Sequence, residues 1–260
     1  MSWEYILPED DYRLYRENIS LLEEQVVNHF PDIYKAPEIL SAIRKVPRHL
    51  FVNESYKYLA YTDNALPTYR GLTTSAPSVI AEMIYNVGIS GGEKLLEIGT
   101  GMGYEAAVLS EMGVRVFTIE IDGGLALKAN RVLVLLGYKV DRTLISETEK
   151  RKNVVRYGKI RKFSPHRGTI DLFMGNGQRG LKKYSPFKGI ILAASVFSYK
   201  DIACLTSQLS ENGGKLVVPV GGRHEQYLYT FERREGKMNV SVLKGVTFDF
   251  VRLVVSSEVE

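Results

Sequence analysis

The chain has 260 residues, 45% hydrophobic and 25% charged, enough for one large α/β domain with extensions and a sizeable core. Cys204 is its only cysteine, which excludes an intrachain disulfide and a multi-cysteine metal site and makes a reducing, cytoplasmic compartment the expectation. The N-terminal MSWEYILPEDDYRLYREN has early acids and no apolar run, no stretch approaches the roughly 18 apolar residues of a membrane helix, and a net charge of +4 does not by itself argue for nucleic acid.

Residues 9–30 carry apolar residues at helical spacing (Tyr12, Tyr15, Ile19, Leu22, Val26), with Pro8 ahead and Pro31 closing the segment. A second short helix is expected from Pro37 to Lys45. Residues 61–77, with Pro67, Gly71 and Pro77, read as an extended loop. Val79, Ile80, Met83, Ile84 and Val87 then form one helical face, and the preceding Ser75-Ala76-Pro77-Ser78 offers a capping hydroxyl and a proline near the helix start. The three hydroxyls Thr73, Thr74 and Ser75 thus admit two readings, helix cap or substrate contact.

From residue 95 the pattern becomes strand and helix in alternation: LLEI (95–98), the turn GTGMG (99–103), a helix over 104–112, a strand over 114–120 and a helix over 125–136. GIILAA (189–194) is the next strongly apolar strand, followed by a helix over 202–209. Three strand-like runs close the chain, at 215–221, 226–233 and 239–248. This order predicts an α/β fold, a mostly parallel sheet flanked by helices, with an antiparallel C-terminal edge. Residues 1–50 read as an N-terminal helical extension of a single domain whose core is 51–260. Between 141 and 170 nine bases stand against three acids, a local charge of +6. Such an insertion can touch phosphates of a nucleic acid, though it more often forms a solvated loop or hairpin, the favoured reading here.

A glycine turn between a strand and a helix brings backbone close to a ligand at the helix N-terminus. The dinucleotide pattern G-x-G-x-x-G would need glycine at 104, where Tyr104 stands, and the third glycine falls one residue early, at Gly103. EIGTGMG (97–103) instead resembles the E/D-x-G-x-G-x-G motif of class I S-adenosylmethionine-dependent methyltransferases, which implies a Rossmann-like fold and S-adenosyl-L-methionine as cofactor. The resemblance implies cofactor contacts at Glu97, toward the methionine ammonium, and at Gly99, Thr100, Gly101, Gly103 and Tyr104. It also implies contacts at Glu120, toward the ribose diol, at Ile121 beside it, and at Asn176 and Gly177 in MGNGQRG, toward the adenine. Acids at strand ends can also be merely solvated. Enzymes that methylate exocyclic amines often carry [N/D/S]-P-P-[Y/F] after the strand corresponding to 189–194, and LAASVF (192–197) lacks it.

KVPRHLFV (45–52), AYTDNALPTYRGLTTSAP (60–77), LLEIGTGMGYEAAVL (95–109), GGKLVVPVG (213–221) and FVRL (250–253) resemble, in that order, motifs of the protein-L-isoaspartate O-methyltransferase family. The family's runs are similar to VPRE-x-FVP, Y-x-D-x-x-LPIG-x-GQTISAP, VLEIGTGSGYQAAVL, GG-x-LVIPVG and FVPL. The resemblance implies methylation of the α-carboxylate of isoaspartyl residues in damaged proteins and peptides, a repair reaction, and substrate-holding roles for Thr73 and Ser75. A carboxylate of pKa about 4 is already ionised at neutral pH, so this transfer needs orientation and partial desolvation of an oxygen rather than a general base. That agrees with four scattered histidines, His29, His49, His166 and His224, which read as surface or packing residues. The sequence departs from the family at Leu72 (glutamine), Asn176 (aspartate of GDG), Arg252 (proline of FVPL) and in the length of 141–170. These departures keep two alternatives open: a methyltransferase of this scaffold acting on another modified peptide or RNA, and a non-catalytic cofactor-binding module.

Overall fold

A computed structural model describes residues 7–138, 140–141, 168–222, 225–243 and 250. The interior of the basic insertion, Arg252, His166 and His224 lie outside the described residues.

Helix α1 (Glu9–His29) begins just after Pro8 and carries three acids in its first turn, which favour the positive end of the helix dipole. Helix α2 (Pro37–Lys45) starts on a proline and ends with Arg44 and Lys45, the same charge logic in reverse. Where an extended loop was expected, the chain forms two-residue strands β1 (Leu66–Pro67) and β2 (Thr73–Thr74), paired antiparallel as Leu66↔Thr74 and Pro67↔Thr73. Helix α3 (Pro77–Val87) follows, with Pro77 at its first position and Gly88 as a left-handed C-cap.

The main sheet contains β3 (Lys94–Ile98), β4 (Arg115–Glu120), β5 (Val140–Asp141), β6 (Thr169–Met174), β7 (Gly189–Leu192), β8 (Asn212–Gly221), β9 (Gln226–Arg234) and β10 (Lys237–Val242). Their spatial order is β10-β9-β8-β7-β3-β4-β6-β5. All neighbours from β8 to β5 run parallel, and β9 and β10 add antiparallel at the other end, as the sequence predicts. Helices α4 (Tyr104–Glu111) and α5 (Gly123–Leu135) cross between strands, and the helix expected over 202–209 is a 3-10 turn followed by one α turn, α6 (Ala203–Thr206).

Strand β6 corrects the sequence reading, which placed no strand between β4 and β7 apart from the basic segment. TIDLFM alternates, with Ile170 and Leu172 buried between more exposed neighbours, and pairs along its length with β4 from Arg115↔Thr169 to Glu120↔Met174. The loop MGNG therefore leaves the carboxyl end of a strand instead of merely preceding β7.

Alternate residues of the central strands feed two apolar layers. Leu95, Val116 and Ile191 join Leu22, Ile43, Ile84 and Val108 on one face, so the N-terminal helices share a core with α3 and α4. Leu96, Ile98, Phe117, Ile119, Ile190 and Leu192 pack with Phe187, Leu205 and Leu209 on the other. Cover on both faces explains why these strands read as continuous apolar runs. His49 is a packing residue, buried with its Nδ1 2.7 Å from the Tyr61 hydroxyl, and His29 sits at the surface beside Asp63. No helix among the described residues is long and apolar enough to cross a membrane.

Candidate active site

Strands β3 and β7 are neighbours, yet the chain continues from β3 to β4 on the opposite side, so the strand order reverses there. In open parallel sheets such a switch point leaves a crevice at the strands' carboxyl ends. A cavity of about 210 Å³ lies there, lined by residues following β3 (Glu97–Met102), β4 (Glu120, Ile121), β6 (Asn176, Gly177) and β7 (Ala193, Ala194). The rest of its wall comes from the β1–β2 hairpin and the residue after it, with Thr68, Leu72, Thr73, Thr74 and Ser75, and from Ile80, Tyr104, Glu105 and Ile119. Thus one space collects eleven of the twelve residues anticipated from the sequence.

The twelfth, Gly103, does not line it. It caps α4 in the left-handed region at φ 91°, and a Cβ there would sit 3.2 Å from Leu133 Cδ1. Its smallness lets α4 approach α5, a packing role rather than the expected cofactor contact. Gly177 has a similar constraint within the cavity wall: a Cβ would fall 2.5 Å from Ile98 Cγ2, so only glycine lets this loop close on the ends of β3 and β4.

Glu120 ends β4 with its carboxylate fixed by backbone donors, Gly101 N to Oε2 at 2.8 Å and Asp122 N to Oε1 at 2.9 Å. Burial raises its pKa, while those N–H groups act in the opposite direction. Glu97 is 1% exposed and its Oε2 has no partner among the described residues. Burial, and next the neighbouring Glu105 carboxylate, hold its pKa well above the ordinary carboxylate range, partly offset by a hydrogen bond to the Thr118 side chain. An orphaned buried carboxylate oxygen facing a cavity is costly unless a donor enters, and an ammonium supplies that donor. Asn176 Oδ1 accepts from Gln178 N at 2.9 Å, the turn bond that an aspartate in its place would also make.

The hydroxyls divide in an informative way. Ala76 is the N-cap of α3 and no side chain at that position caps it. The donor Ser78 N is taken instead by Asp63 Oδ1, 2.8 Å away, and Asp63 is 15 residues earlier in the chain. The capping reading of Ser75 is therefore overturned. Among the described residues, its hydroxyl makes no hydrogen bond, and Ser75 lines the cavity together with Thr73 and Thr74.

Arg48, for which the sequence suggested no role, holds this segment in place. It is fully buried and donates to the carbonyls of Ala60 (2.8 Å), Thr62 (3.0 Å), Asn64 (2.8 Å) and Ser75 (3.1 Å). Its guanidinium carbon lies 5.6 Å from the Tyr104 ring centre. Across the cavity mouth, Arg70 Nη1 donates to Asp122 Oδ2 at 2.8 Å, and Lys128 Nζ sits 3.6 Å from the centre of the Tyr69 ring. The hairpin is thereby tied to the start of α5. Just after Ala193 and Ala194, Phe250 is held in place: Gln226 accepts from Phe250 N at 2.7 Å and donates to its carbonyl at 3.0 Å, and Ser195 Oγ also donates to that carbonyl at 3.1 Å.

The family model for protein-L-isoaspartate(D-aspartate) O-methyltransferase matches residues 20–258. A protein-L-isoaspartate O-methyltransferase 1 of Syntrophobacter fumaroxidans is 39% identical over 210 residues, covering 81% of this chain and 83% of that relative. A protein-L-isoaspartate O-methyltransferase of Dictyoglomus turgidum is 36% identical over 214 residues, covering 82% and 83%. Among solved structures, one protein-L-isoaspartate O-methyltransferase superposes with a TM-score of 0.66 at 22% identity over 88% of this chain, which spans 65% of that longer one. A Plasmodium falciparum structure described as a protein-L-isoaspartate O-methyltransferase, in complex with S-adenosyl-L-homocysteine, gives a TM-score of 0.64 at 18% identity, covering 91% of this chain and 98% of that chain. At such identities the structural likeness is one of fold.

Proposed function

This chain belongs to the protein-L-isoaspartate(D-aspartate) O-methyltransferase family, and from that premise we propose how its cavity carries S-adenosylmethionine-dependent methylation of isoaspartyl α-carboxylates. The supporting observation is that one cavity joins a buried, unpartnered carboxylate, Glu97, to a hydroxyl, Ser75, released from any capping role.

The residues present fit the cofactor. Glu97 would take the amino-acid ammonium, Glu120 the ribose diol, and Ile121, Asn176 and Gly177 the adenine, with Gly99, Thr100, Gly101 and Tyr104 lining the passage between. When bound, S-adenosylmethionine supplies a methyl group on a sulfonium, ready for displacement by an oxygen nucleophile. Glu120 remains an acceptor toward the ribose because its two backbone donors leave lone pairs on both oxygens. Asn176 offers an amide where the family's aspartate offers charge.

Ser75 and Thr73 would receive the substrate carboxylate. Ser75 Oγ donates to the oxygen that does not attack, leaving the other aligned and partly stripped of water. No proton is removed, because the nucleophile enters as an anion. Leu72 adds an apolar wall in this region, and the exposed thiol of Cys204 agrees with the cytoplasm as the place of action.

The test is methyl transfer from labelled S-adenosylmethionine to one peptide made in isoaspartyl and aspartyl forms. Base-labile label on the isoaspartyl form alone is expected, and equal labelling of both, or of neither, would reject the reading. Ser75→Ala should lower kcat/KM on the isoaspartyl peptide by about 10- to 100-fold, the loss of one hydrogen bond to a charged group. Cofactor affinity and melting temperature should stay near wild type, since the hydroxyl caps nothing. A melting temperature lowered in step with activity would return Ser75 to a structural role.

A further inference from the structure

The first turn of α4 places a second carboxylate beside Glu97. Glu105 is 6% exposed, lines the same cavity, and its Oε1 has no partner among the described residues. Two neighbouring carboxylates, each with an orphaned buried oxygen, are not a stable arrangement of two negative charges. No other ionisable group around them supplies a compensating positive charge through an ion pair among the described residues. Glu120 on β4 is a third acid and is held by backbone N–H groups. Tyr104, from the same turn as Glu105, is a buried phenol with its hydroxyl unpartnered. Arg48, behind the Tyr104 ring, spends its two terminal nitrogens on four carbonyls, and its buried Nε, without a partner among the described residues, bonds neither acid. Among the described residues, no lysine or arginine forms an ion pair with Glu97 or Glu105.

We propose that Glu105 and Glu97 share a proton before the cofactor enters and give it up to solvent when the α-ammonium of the cofactor's amino-acid end binds, making Glu105 a second determinant of cofactor affinity and cofactor binding proton-linked. The proposal rests on the cofactor reading above. Burial pushes the Glu105 pKa up to about 8, consistent with a carboxyl that is still protonated at neutral pH. The family run compared above has glutamine at this position, which holds no proton to release, so this chain differs from it at the cation-binding end of the site.

The test is calorimetric titration of the full chain with S-adenosylhomocysteine at pH 7.0, in two buffers of different ionisation enthalpy, which counts protons exchanged on binding. Wild type should release close to one proton, and its affinity should rise by up to about tenfold per pH unit between pH 6 and 7.5. Glu105→Gln should lose most of that release and flatten the affinity profile. The ligand's own amine, binding as ammonium, would take a proton up, the opposite sign. Binding by wild type with no release, or with uptake, would overturn the proposal, and so would an equal release from Glu105→Gln. The wild-type count decides even if that variant folds poorly. Absence of any binding would instead sink the cofactor reading, and this inference with it.

Discussion

Replacing Arg48 by methionine should destabilise the protein by about 3 kcal/mol and disable the substrate hairpin while leaving the cofactor residues in place. The substitution removes a donor from four carbonyls served by one guanidinium, leaving those of Ala60, Asn64 and Ser75 without it while Thr62 O keeps Asn64 N at 2.9 Å. Hydrogen bonds to a charged donor contribute roughly 1.5–3 kcal/mol each, but removing a fully buried cation returns part of its desolvation cost. That partial cancellation sets the estimate well below the sum of four bonds. For a chain of this size the melting temperature should fall by about 6–12 °C. Lysine should rescue poorly, because a single ammonium cannot span four carbonyls as the planar fork does. Beyond stability, loss of the Ser75 anchor should raise KM for the isoaspartyl peptide more than it changes the dissociation constant of S-adenosylhomocysteine. A wild-type melting temperature in Arg48→Met would contradict the anchoring role. Equal losses of peptide and cofactor affinity would mean that Arg48 supports the whole cavity rather than the hairpin.

What was legible in the sequence follows the range of the interactions involved. The strand–glycine turn–helix unit at 95–111 is local: apolar run, GTGMG and helix adjoin, so cofactor-facing positions could be counted along the chain. Strand β6 escaped because TIDLFM alternates and abuts the basic insertion, although the alternation itself was the available signal. Arg48 and Asp63 were opaque for a different reason. The contacts that fix the hairpin and α3 are to backbone groups, up to 27 residues from Arg48 and 15 from Asp63, and no side-chain pattern advertises a backbone carbonyl or a helix N–H. The proximity of a hydroxyl to a helix start made Ser75 look like a cap, whereas the cap came from a distant carboxylate. Glu105 was accessible in principle. Tyr104 through Ser110 are all buried, so YEAAVLS is a helix without a polar face, and an acid inside it has no solvent side to occupy.

Glu120→Ala should weaken S-adenosylhomocysteine binding by about 10²- to 10³-fold, a larger effect on the cofactor than any change in the hairpin. One part of the loss is direct: the carboxylate would accept from the ribose diol, and charge-assisted bonds of this kind contribute roughly 1.5–3 kcal/mol each. The other part is architectural, because Glu120 Oε2 holds Gly101 N and Oε1 holds Asp122 N. Without them, the glycine turn after β3 and the start of α5 lose the same tether at once. Glutamine should be nearly as damaging as alanine. Its amide has one acceptor oxygen for two fixed N–H groups, so its own NH₂ must face one of them. Titration calorimetry on wild type, Glu120→Ala, Glu120→Gln and Ser75→Ala separates the roles. The two Glu120 variants should lose cofactor, whereas Ser75→Ala should bind it normally and fail in turnover. Should Glu120→Gln bind like wild type, neither the charge nor the second acceptor oxygen would matter to cofactor binding, and the ribose contact would have to be sought at another residue.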